Sequence, residues 1–88
     1  MVVLDALGRR GALRVLWELR SDTLTFRALQ SASGMNPGSL NTRLKELRAL
    51  HIVDHSGGGY HLTDQGQLLV AALGPLQAWA DDWAQPAP

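Results

Sequence analysis

The sequence predicts a mainly α-helical domain that carries one small β-hairpin. Apolar residues recur at three- and four-residue steps in several stretches, the signature of amphipathic helices. Residues that cap helices stand at the starts of three of these stretches. Around three consecutive glycines, Gly57 to Gly59, the chain is instead rich in β-formers.

In chain order, Leu4, Leu7, Leu13, Leu16, Trp17 and Arg20 recur with a helical period and predict a helix over 4–19, weakened in its first half by Gly8 and Gly11. "SDTLTF" interrupts the pattern with turn formers and a short extended piece, Leu24-Thr25. Thr25 then caps a second helix, "FRALQSAS", whose apolar side is Phe26 and Leu29, and Gly34 ends it. Asn36 followed by Pro37 starts a third helix over 37–50: asparagine accepts from the first free N–H groups, and proline at the first helical position loses no hydrogen bond. "HIVDHSGGGYHLT" reads as a hairpin over 52–62, its glycines meeting the turn's need for positive φ. Thr63 caps the next helix, with Asp64 in its first turn, and Gly74-Pro75 either kinks that helix or divides it from a last one, "LQAWADDWA". One domain over 1–84 follows, with "QPAP", residues 85–88, as a disordered tail.

This order of helix, short strand, helix, turn, helix, hairpin, helix is that of a winged helix-turn-helix. In that arrangement the third helix enters a DNA major groove and the hairpin lies over the flanking backbone. On a helical wheel Leu40, Leu44 and Leu47 share a narrow inward arc, continued by His51, and predict the core-facing stripe. Gly38, Thr42, Lys45 and Ala49 point the opposite way. Ser39, Arg43 and Glu46 occupy one flank, Asn41 and Arg48 the other. The outer half is thus small and hydrogen-bonding, suited to base edges and phosphates: asparagine pairs with adenine and arginine with guanine. Any solvated helix also shows polar residues outside, so this pattern alone leaves both readings open.

"LNTRLKEL", followed by "HIVDH" and "YHLTDQG", resembles the recognition helix and wing strands of the HxlR-type branch of MarR-like winged-helix regulators. "LTFRAL" upstream and "LQAWADDW" downstream are similar to that family's neighbouring segments, and the resemblance runs from about Leu7 to Trp83. It implies a bacterial, dimeric, DNA-binding transcription regulator whose first and last helices form the dimer. Carried over by position, Ser39, Thr42 and Arg43 face the operator, while Thr25 and Arg27 open the second helix near a phosphate. The chain departs from the family's pattern at Gly38, where a lysine is common, and at His55, where an arginine is usual. Its wing is shorter and holds no lysine or arginine, and the family's N-terminal cysteine has no counterpart.

Charge bears on the same question. Eight Lys and Arg balance eight Asp and Glu, so attraction to duplex DNA must come from local clustering; the basic residues lie between Arg9 and Arg48. A winged-helix module that binds another polypeptide is therefore the alternative reading. His51, His55 and His61 crowd one region without an accompanying carboxylate motif, so no metal or other cofactor is expected; His55 and His61 are instead wing residues able to add charge toward phosphate in mildly acidic solution. "SGGGY" lacks the Lys-Ser/Thr of a phosphate-binding loop, and no nucleophile, base and orienting group can be assembled, so an enzyme is not expected. The chain has no cysteine, which excludes disulfides and thiol chemistry. Its longest nearly apolar run, Leu68 to Ala80, is too short to span a bilayer, and "MVVLDALGRR" reverses the charge order of a secretory signal, giving a cytoplasmic expectation. In so small a chain the ridge of Leu76, Trp79 and Trp83 either packs against the first helix within the monomer or, with Leu4 and Leu7, forms the expected homodimer interface.

Overall fold

A computed structural model of the chain describes residues 2–85. Its elements are α1 (Val2–Leu7), α2 (Ala12–Glu18), α3 (Phe26–Ser33), α4 (Pro37–Ala49), β1 (Val53–Ser56), β2 (Gly59–Leu62) and α5 (Asp64–Trp83). The expected helix over 4–19 is two helices, because Gly11 adopts a left-handed conformation at φ 86° and turns the chain between them. A tertiary contact fixes that turn: a Cβ on Gly11 would stand 2.5 Å from Met35 Cε, so the backbone of the break is seated directly on the Met35 side chain.

All three capping expectations hold. The Thr25 side chain accepts from Ala28 N–H at 3.1 Å, Asn36 from Ser39 N–H at 2.8 Å, and Thr63 from Gly66 N–H at 3.1 Å. With their starts fixed, the helices turn apolar stripes inward. Leu16 of α2, Leu19 just after it, Leu29 of α3 and Leu40, Leu44 and Leu47 of α4 are almost wholly buried, and Ile52, Val53, Tyr60 and Leu62 close the core from the hairpin side. Leu7 is partly buried against this core, whereas Leu4 is exposed.

His51 does not continue the inner stripe of α4. It is exposed with φ 59°, just past the helix end, where its N–H donates to Arg48 O at 3.0 Å while Ile52 N–H donates to Leu47 O at 3.0 Å. These two bonds satisfy carbonyls that the last helical turn leaves free, and they require a left-handed residue between Leu50 and Ile52.

The strands pair antiparallel in the register Val53↔Leu62, Asp54↔His61, His55↔Tyr60 and Ser56↔Gly59. Gly57 and Gly58 form the two-residue turn with φ 61° and 90°, the positive values that match a turn to the strands' twist. The extended piece expected at Leu24 joins this sheet: Leu24 N–H donates to Tyr60 O at 2.9 Å and Tyr60 N–H to Leu24 O at 2.7 Å. The hairpin is thereby anchored to the segment that leads into α3.

Thr63 ties the hairpin, the end of α4 and the start of α5 into one knot. Its hydroxyl donates to His51 O at 2.6 Å and accepts from Gly66 N–H, and its own N–H donates to Ile52 O at 3.0 Å. Thr63→Val keeps the shape and deletes every hydroxyl hydrogen bond. It is expected to cost about 1–2 kcal/mol, a fall of roughly 5–15 °C in Tm by circular dichroism.

The sequence left α5 kinked or divided at Gly74-Pro75; it runs undivided as 20 residues with Pro75 inside it. Proline removes one N–H from the helix ladder, and its would-be acceptor belongs to Ala71, an exposed residue that water can reach. Of the tail expected at 85–88, residues 86–88 lie outside the described residues.

Candidate nucleic-acid interface

The outer face of α4 carries Gly38, Ser39, Asn41, Thr42, Lys45 and Arg48, all exposed. Two of these are already engaged locally: Ser39 N–H donates to the Asn36 cap, and the Thr42 hydroxyl donates to Gly38 O at 3.0 Å. Both hydroxyl oxygens retain the capacity to accept, and the small side chains let another surface come close. Lys45 has no acidic partner among the described residues, so its charge is available to a ligand.

Arg43 is disposed differently from these neighbours. Its side chain is only 16% exposed, its Nε lies 2.8 Å from Glu46 Oε1, and its Nη1 donates to Arg10 O at 3.4 Å. Glu46 in turn reaches Arg9, whose Nε lies 3.8 Å from Oε2. Arg43 therefore bridges α4 to the break between α1 and α2 and does not project from the outer face with Ser39 and Thr42. Arg9 and Arg10, a pair of arginines between Gly8 and Gly11, form a basic loop beside this face that the helical wheel of α4 does not reach.

At the start of α3, Thr25 is the cap and Arg27 is exposed without an acidic partner among the described residues. On the wing, His55 is exposed and stacks on Tyr60, with ring centroids 4.1 Å apart and planes within 3°. His61 Nε2 lies 3.8 Å from Asp54 Oδ2, and the Asp54 carboxylate also accepts from His55 N–H at 2.8 Å. The Asp54 carboxylate thus faces the His61 ring and the His55 backbone, while the His55 ring lies on Tyr60.

A second surface lies on α1, α2 and α5. Leu4, Leu76, Trp79 and Trp83 are exposed, and the two indoles stack with centroids 6.3 Å apart. Next to them a cleft of about 260 Å³ between α2 and α5 is lined by Leu13, Leu16, Trp17, Val70, Leu73 and Leu76. Arg20 lies over the face of Trp17, its guanidinium 3.9 Å from the ring centroid.

A helix capped by Asn36 and held outward on a three-helix core, with a glycine-turned hairpin leaving its C-terminal end, defines the winged helix-turn-helix class. The chain belongs to the HxlR-like helix-turn-helix family, whose model matches residues 6–88. It is similar to the quinone-bound YodB of Bacillus subtilis, with a TM-score of 0.85 and 30% identity over 91% of this chain and 92% of that one. Among relatives of uncharacterised function, it is 28% identical to the HTH-type transcriptional regulator YvaP of Bacillus subtilis over 93% of this chain and 83% of that protein. It is 23% identical to the HTH-type transcriptional regulator MJ0925 of Methanocaldococcus jannaschii, over 97% and 85% respectively.

Proposed function

We propose that the protein is a DNA-binding transcription regulator that acts by occupying duplex DNA as a homodimer and not by catalysis. The observation that carries this reading is α4: its inner stripe is buried to the last residue, while its outer face is small, polar and free to enter a groove. The family and the names of the relatives support DNA as the partner over the protein-assembly alternative. In this reading Ser39, Asn41 and Thr42 approach base edges, Lys45 and Arg27 meet phosphates, Thr25 sets the start of α3 beside the backbone, and His55 stands on the wing. Arg43, given its partners, contributes by holding the reading helix in place.

The dimer is proposed through α1 and α5, where the exposed Leu4, Leu76, Trp79 and Trp83 form apolar surface that a lone small domain keeps poorly covered. Leu7 belongs to this set only at its edge, since it already packs on the core. A cytoplasmic site of action accompanies a DNA partner, and among the described residues no helix is long and apolar enough to cross a membrane.

Fluorescence anisotropy with duplexes selected from a random pool tests the reading. Asn41→Ala is expected to lower affinity for the selected duplex by about 5- to 150-fold while relaxing the preference at one base position. Absence of binding by the unaltered protein at low salt sinks the proposal.

A further inference from the structure

We propose that Arg10, presented by the break between α1 and α2, is a phosphate-contacting residue that flanks the N-terminal half of α4. The inference rests on the DNA-binding reading above and adds to it a contact outside the helix-turn-helix and the wing. Three observations carry it. Arg10 is exposed, and among the described residues no acidic side chain pairs with it, whereas its neighbour Arg9 is held by Glu46. The loop that carries it is fixed from two sides: Arg43 donates to the Arg10 carbonyl oxygen at 3.4 Å, and Gly11 is seated on Met35. Finally, Arg10 shares a recess of about 290 Å³ with Asn36, Ser39 and Arg43, so a nucleic-acid backbone that runs past Ser39 also runs past Arg10.

The chemistry of the surroundings selects phosphate. Glu46 lies between the guanidinium groups of Arg9 and Arg43 and neutralises one of their two charges, leaving that cluster cationic before Arg10 is counted. An arginine side chain presents a planar fork of donors that fits a phosphate with two parallel hydrogen bonds. Because the loop is pinned, little backbone ordering is needed when the contact forms. The wing, residues 52–62, has no lysine or arginine, so the flanking cation that such a hairpin would carry is supplied from this loop.

The test is the salt dependence of duplex binding by Arg10→Gln, measured by anisotropy on a selected and on a random duplex, with Arg20→Gln as the control. Arg20 is stacked on Trp17 at the other end of α2. A lost phosphate contact lowers the slope of log K against log salt by about 0.9 per bound subunit and weakens both duplexes alike. That result, with the slope of Arg20→Gln unchanged, is expected. An unchanged slope in Arg10→Gln overturns the inference, and so does an equal fall in Arg20→Gln, which makes the effect one of net charge. Loss of preference for the selected duplex alone also overturns it, because it assigns Arg10 to a base. If the unaltered protein fails to bind either duplex at low salt, the DNA reading itself falls and takes this contact with it; binding by the unaltered protein separates the two failures.

Discussion

Gly66→Ala is expected to destabilise the protein by about 3 kcal/mol or more, lowering Tm by roughly 10–20 °C at fixed protein concentration. A methyl group at this position falls onto the Ile52 carbonyl oxygen and stands 3.1 Å from Leu62 Cβ. Neither neighbour can yield easily. Ile52 O already accepts from Thr63 N–H, and Leu62 is a buried core residue paired across the sheet with Val53. The first turn of α5 must therefore lift away from the hairpin, which breaks the Thr63 cap with it. Gly74→Ala in the same helix is the paired control. A Cβ there meets nothing within 4 Å beyond the adjacent residues, but Pro75 follows, and its ring crowds a Cβ on the preceding helical residue, which offsets the gain in helix propensity, so only a small change in Tm is expected. Thermal melts in which Gly66→Ala falls no further than Gly74→Ala would contradict the close approach as the cause.

Trp79→Ala is expected to convert a dimer into a predominantly monomeric species at micromolar concentration, read by sedimentation velocity. Trp79 and Trp83 are 61% and 75% exposed in a single chain, and together they make the largest aromatic surface outside the core. A buried interfacial tryptophan of this kind is worth about 2 kcal/mol or more, and a two-fold interface counts each substitution twice. The expected weakening is therefore about a thousandfold. Affinity for a two-half-site duplex should fall with it, because each subunit then binds alone and the second contact loses its effective concentration. Binding to an isolated half-site should not change. A dimer that persists unaltered in Trp79→Ala would place the interface elsewhere.

The fold was legible where its determinants are local. Thr25, Asn36 and Thr63 each satisfy free N–H groups within three residues of themselves, so their roles can be read from neighbouring positions alone. The inner stripe Leu40, Leu44 and Leu47 follows from helical period in the same way. The failures share a different cause. Gly11 divides two helices instead of merely weakening one, its left-handed backbone packed against Met35, distant in sequence. His51 leaves the inner line of α4 because the helix end needs a left-handed residue, and no glycine is placed there to announce it. Within the candidate interface, the outward positions of Ser39, Asn41, Thr42 and Lys45 could be read from the wheel. The disposition of Arg43 could not, since one of its partners is a carbonyl oxygen 33 residues away. The same long-range contact places Arg10 beside α4, so missing one meant missing the other.

The knot at Thr63 has a mechanical consequence. It joins the end of α4 to the root of a 20-residue helix whose length is about 30 Å. In a dimer built through α5, that helix is a lever arm: a tilt of about 10° at its root displaces the far end by roughly 5 Å. Because half-sites on DNA are separated by about one helical turn, 34 Å, a shift of that size takes the two reading helices out of step with successive grooves. In such a dimer the spacing of the two half-sites would depend on the stiffness of a few hydrogen bonds at Ile52, Thr63 and Gly66, away from the outer face of α4.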